Sequence, residues 1–147
     1  MIRDTYRPKR IFIGQLPSGA DLSESISKIC TEEDVKIGKV TALGAVSQAA
    51  IAYYDQKKKQ YCPIKFKKHL EILNCTGNVS LKDGKPFVHM HAIFTDDKGK
   101  AFGGHLTPGT IVFACELTIE ELEGKALDRG PDEKSGLNLW GKTSILI

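Results

Sequence analysis

One strong helical pattern in a chain otherwise made of short β-rich runs constrains the fold most. Asp21 stands as a helix N-cap, with Glu24 three residues on as its capping-box partner. Leu22, Ile26, Ile29 and Cys30 then recur at helical spacing and put one apolar face on a helix of about 21–33. Around it, Ile11-Phe12-Ile13 reads as a short buried strand. Val40 to Val46 and Ala49 to Tyr54 read as a strand pair or as one bent strand. Lys65 to Leu73 reads as a strand that leads into Asn78 to Leu81. Turn chemistry at Asp83-Gly84, Asp97-Lys98-Gly99 and Pro108-Gly109 separates further strands at Phe87 to Thr95, Ala101 to Leu106 and Thr110 to Ile119. Glu120 to Leu127 is either a short helix or an irregular connector, and Arg129 to Asp132 reads as a loop. Many short strands with one early helix make a small α/β domain of the α+β kind.

The length of 147 residues suits a single domain over 1–147, opened by a polar, basic segment at 1–9. A hydrophobic fraction of 41% with 27% charged residues excludes extensive disorder. No run approaches a membrane-spanning length, and the first apolar run is too short for a signal-peptide core, so the expected location is cytoplasmic. Cys30, Cys62, Cys75 and Cys115 form no C-x-x-C pair, which argues against a cysteine zinc site and for reduced, buried thiols. The net charge is +3, gathered in Arg7-Pro8-Lys9-Arg10, Lys57-Lys58-Lys59 and Lys65-Phe66-Lys67-Lys68. Such runs are most often solvated faces or turns, and the alternative is phosphate binding.

Three of the four histidines, His89, His91 and His105, fall within 17 residues. Residues i and i+2 of a strand point to one face, so His89 and His91 present two imidazoles on the same side. The third depends on hairpin register. With Asp97-Lys98-Gly99 as a three-residue loop and Gly99 left-handed, Asp96 pairs with Lys100, Ile93 opposes Gly103 and His91 opposes His105. A two-residue loop would turn His105 to the other face. Three convergent neutral imidazoles suit zinc with an open fourth position, or another divalent transition metal. Gly103-Gly104 before His105 lets the backbone pass close to a bulky neighbour. His69, in a lysine-rich segment, is expected to be exposed. Glu71 and Glu116 are weak catalytic candidates, either as supports for a ligating imidazole or as a base beside the metal.

Several blocks together resemble the PPC domain, the plants-and-prokaryotes conserved domain. They include Gly44-Ala45-Val46-Ser47-Gln48-Ala49, Gly77-Asn78-Val79-Ser80, Pro86-Phe87-Val88-His89-Met90-His91, Gly103-Gly104-His105-Leu106, Leu127-Asp128-Arg129 and Gly136-Leu137-Asn138-Leu139-Trp140. The resemblance runs nearly end to end, and H-x-H with the downstream G-G-H-L is its most telling part. It implies a compact, mainly antiparallel sheet domain, a homotrimer, and a metal centre, usually zinc, in members that keep the three histidines. Plant relatives carry an AT-hook and regulate transcription. Arg7-Pro8-Lys9-Arg10 lacks the glycine and leading arginine of such a hook. The resemblance therefore implies a metal-containing, DNA-associated regulatory protein. The second reading is a zinc-dependent enzyme or small-ligand binder, and the third is a trimer whose metal only staples the hairpin.

Overall fold

Asp21 acts as the helix signal requires. In the computed structural model, which describes residues 4–141, its Oδ1 accepts the Glu24 N–H at 3.0 Å, and α1 (Leu22–Glu32) follows. Met1 to Arg3 of the basic N-terminal segment lie outside the described residues. The periodic face of α1 is its buried face: Leu22, Ile26 and Cys30 are fully enclosed.

All the remaining elements belong to one sheet. They are β1 (Arg7–Leu16), β2 (Gly38–Asp55), β3 (Gln60–Phe66), β4 (Leu70–Lys82), β5 (Lys85–Thr95), β6 (Ala101–Leu106), β7 (Ile111–Glu123), β8 (Asp128–Asp132) and β9 (Leu137–Trp140). The sheet is antiparallel except where β8 runs parallel to β4. Val40 to Tyr54 lies within one bent strand, not a pair. The first half of β2 pairs with β4 and its second half with β6, so β2, β6, β5 and β4 close into a ring. At Gly44 the backbone has φ +135°, and a Cβ would sit 2.2 Å from the Ala114 carbonyl oxygen; only glycine fits this bend. The inward face carries Val40, Val46, Ile51, Cys75, Phe94 and Ile119, with α1 packed against β5. Among the described residues no helix is long and apolar enough to cross a membrane.

Four expectations are corrected by the pairing. Ile11 and Ile13 are 60% and 80% exposed and lie on the outer face of β1, while Phe12 turns inward. A three-residue apolar run shows alternation too briefly to assign a face. The expected strand Lys65 to Leu73 breaks at Lys67-Lys68-His69, where Lys68 Nζ reaches the Asp96 carboxylate at 2.8 Å. Glu120 to Glu123 continues β7, and Arg129 to Asp132 is strand β8, not a loop. The extended reach of β7 was hidden because its inward residue there is Glu121.

Glu121 is 3% exposed and receives Lys9 Nζ at 2.8 Å together with the Arg10 guanidinium. The first basic cluster is thus partly consumed by an internal carboxylate. Cys30, Cys75 and Cys115 are buried free thiols, and burial pushes their pKa up to about 11, 12 and 11; Cys62 is half-buried.

The Arg10 and Lys9 hydrogen bonds hold Glu121 below its ordinary value of 4.5. A depressed carboxylate contributes stability above the unfolded pKa and loses it as pH falls through the folded one. Glu121→Gln should therefore lower the melting temperature at pH 6–7. The gap to the parent should close as pH drops below 4.5, read by thermal melts across the acid range.

Candidate metal centre

The hairpin of β5 and β6 sets the site. Gly99 sits at φ +73°, its N–H meets the Asp96 carbonyl at 2.9 Å, and the Asp96 N–H meets the Lys100 carbonyl at 3.2 Å. The Asp96 carboxylate also accepts the Lys98 and Lys100 N–H groups at 3.1 and 3.0 Å, which fixes the three-residue loop. The register that follows opposes Ile93 to Gly103 and His91 to His105. His91 also faces Thr76 of β4, and His89 faces Asn78. All of these side chains stand on the outer face of the ring, while Met90 and Ala92 between them are buried.

The two glycines before His105 serve the backbone ladder. A Cβ on Gly103 would lie 2.3 Å from the Ala92 carbonyl oxygen, and one on Gly104 would lie 2.8 Å from that of Ala52. β6 is pressed between β5 and β2, so the bulky neighbour is backbone on both sides.

The three imidazoles converge. Ring centroids are 5.1 Å apart for His89 and His91, 4.9 Å for His89 and His105, and 5.5 Å for His91 and His105. One ring nitrogen from each lies within 4.8 Å of the other two. A common centre is then about 2.8 Å or less from every donor, against about 2.0–2.1 Å for a zinc–imidazole bond, so small side-chain rotations would complete the set. Burial lowers the His89 pKa to about 4, aided by the neighbouring His105, Arg129 and His91 charges. Burial likewise lowers that of His105, with His91 and Arg129 adding to it. Both rings are neutral donors near pH 7. Nδ1 of His105 is buried with no hydrogen-bond partner, a costly state that coordination relieves. The residues present fit a divalent transition metal.

Around the cluster, Tyr61 of β3 stacks on His105 at 4.8 Å and meets Tyr54 edge-on at 4.9 Å. Arg129 of β8 donates to Ser80 Oγ and Asn78 Oδ1, both at 2.8 Å, and to the Asn138 carbonyl at 3.2 Å. Burial presses its guanidinium below the ordinary value. Neither Tyr61 nor Arg129 was singled out by the sequence. Arg129 reaches the site only through the parallel pairing of β8 with β4, which leaves no local pattern.

The other candidates lie elsewhere. Glu71 pairs with Ala45 and Thr95, four residues along β5 from His91, which is about 13 Å of strand. Glu116 pairs with Leu43 and Gln15 on the far side of β2. Within one chain neither carboxylate joins the cluster. His69 is exposed, as expected, beside Phe113.

A β-rich ring with three histidines on its outer face, and one helix packed against the sheet, defines the class of protein. Residues 3–123 match the Plants and Prokaryotes Conserved (PCC) domain, and the chain belongs to that family. It is 40% identical to a metal-containing protein from Archaeoglobus fulgidus, with TM-score 0.91 over 97% of this chain and 100% of that one. It is 33% identical to a plant- and prokaryote-conserved (PPC) protein from Pyrococcus horikoshii, with TM-score 0.91 over 99% and 100%. A candidate DNA-binding protein from Ralstonia eutropha is 28% identical, with TM-score 0.79 over 88% and 89%. The bifunctional protein GlmU of two Synechococcus strains is 30% and 29% identical, and the chain spans about a fifth of the length of these curated relatives.

Gly103→Ala should cost about 1–3 kcal/mol, because the methyl group must push β6 off β5 beside the His91–His105 pair. Gly14→Ala, where a Cβ meets nothing within 4 Å, should not destabilise. Denaturant unfolding of both variants checks this.

Proposed function

We propose that this is a metal-containing PCC-domain protein in which His89, His91 and His105 hold one divalent transition metal, zinc before others. The observation that carries the reading is the convergence of three imidazoles, one with an orphaned buried nitrogen. The 40% identity to the metal-containing Archaeoglobus protein supports it. With three protein donors such an ion would keep a coordination position for a small ligand and would supply Lewis acidity there. The chain's own part is to hold two donors on β5 and the third on the doubly paired β6, and to cover His105 with Tyr61. Among the described residues no carboxylate stands at the cluster as a base, so the geometry supports ligand binding ahead of turnover.

We further read the molecule as one domain over 1–147 that works as a homotrimer. The outer face presents Ile13, Leu43 and Leu73 around one cleft, at 80%, 55% and 56% exposure, with Ile93 and Phe113 also exposed. An apolar patch of this kind on a charged chain is the usual mark of an interface. The four free thiols suit the reducing cytoplasm.

DNA association is the second reading, carried by the description of the Ralstonia protein and by a net charge of +3 that a trimer would triple. Several cations of the basic clusters are engaged internally: Lys9 and Arg10 with Glu121, Lys68 with Asp96, and Lys58 with Asp55.

Metal analysis of purified protein should give one ion per chain, and His89→Ala/His91→Ala/His105→Ala should carry none. Chelation should lower the melting temperature of the parent and leave the triple variant unmoved. Loss of no metal on triple substitution overturns the site. Leu43→Asp should convert a trimer to monomer by light scattering. A gel shift on duplex DNA should appear at low salt and weaken steeply as salt rises; no shift at low salt removes the DNA reading.

A further inference from the structure

Beside the histidines lies a cleft of about 270 Å³ between β3, β5 and the β8–β9 hairpin. His89 and His105 form one wall, and Arg129, Tyr61, Lys82 and Leu139 are among the rest. None of its lining residues is a carboxylate. Among the described residues Arg129 is held there by neutral acceptors: a hydroxyl, a side-chain amide and a backbone carbonyl. Its guanidinium lies 5.4 Å from the Phe87 ring and 5.4 Å from the Trp140 ring, so the fork is kept flat and in place. Among the described residues no Asp or Glu forms a salt bridge with it, although other cations of the chain have such partners.

We propose that this cleft binds a small organic carboxylate, whose charged end is shared between the histidine-held metal and the Arg129 guanidinium. The proposal rests on the metal reading above. A divalent ion on three imidazoles would stand beside the Arg129 guanidinium and Lys82, with no fixed anion among the described residues that line the cleft. A partly enclosed positive field of that kind is stabilised by a ligand that brings negative charge. The planar fork of arginine matches a carboxylate by geometry as well as charge. The cleft walls favour a carboxylate over a bare inorganic anion: Phe87, Leu137 and Leu139 give apolar surface for a short carbon chain, and Asn138 offers an amide for a second polar group. The volume suits a molecule of a few carbons.

The experiment uses full-length protein loaded with cobalt, whose visible bands respond when the ligand set changes. Metal content is measured first. Absence of metal in the parent defeats the metal reading, and this inference with it. With metal present, the titrants are propionate, its neutral isostere propionamide, and inorganic phosphate. Propionate should shift the spectrum saturably and bind at least tenfold tighter than propionamide. Arg129→Gln should weaken propionate by about tenfold to hundredfold while leaving propionamide and cobalt content unchanged. Equal binding of the isosteres, or no effect of Arg129→Gln in a metal-loaded protein, overturns the inference. Phosphate binding more tightly than propionate overturns the carboxylate assignment in favour of a phosphoryl ligand. Should Arg129→Gln fail to fold, Leu139→Trp tests the same cleft: it should block propionate with cobalt still bound, and undiminished propionate binding refutes the site.

Discussion

Strand β2 makes ladder hydrogen bonds with four other strands, and it can do so only because its backbone changes direction between Ala42 and Gln48. Register shifts fall there against both β4 and β7, and Gly44 passes the Ala114 carbonyl at a distance no side chain allows. A straight β2 would leave β6 an edge strand. Bent, it gives β6 a second partner, so the His105 backbone is pinned from both sides. The spacing of the three imidazoles is therefore a property of the whole ring as well as of the hairpin that carries them.

The parts of the fold legible in the sequence were those governed by local rules. The α1 cap and face follow from Asp21, Glu24 and the 3–4 residue recurrence of Leu22, Ile26, Ile29 and Cys30. The hairpin register follows from Gly99, because a left-handed residue at that place fixes the loop length and so the face of every residue beyond it. What stayed hidden depends on long-range pairing. Ile11 and Ile13 look like core and are surface. Glu121 looks like surface and is core, because its cations arrive from the other end of the chain. Arg129 looks like a loop residue and reaches the histidines through a strand pairing nearly fifty residues away in sequence. The family likeness placed the PCC domain from blocks alone, but it did not say what surrounds the three histidines.

The chain handles its partly enclosed cations in two different ways. Lys9 and Arg10 close on Glu121, so charge is cancelled internally and β1 is fastened to β7. Among the described residues Arg129 is given hydrogen bonds but no anion, beside His89 and His105, whose pKa values burial and the neighbouring charges lower. The first arrangement stabilises a closed structure. The second leaves an unbalanced field beside the histidines, and this asymmetry separates that part of the sheet from the β1–β7 edge.

The chain has a single tryptophan, Trp140, and its indole lies 5.4 Å from the Arg129 guanidinium, at the end of the hairpin that walls the cleft. The residue is 37% exposed, so its emission is sensitive both to the nearby cation and to solvent. The protein thus carries a built-in optical reporter at the one place where chemistry is expected, with no second indole to blur the signal.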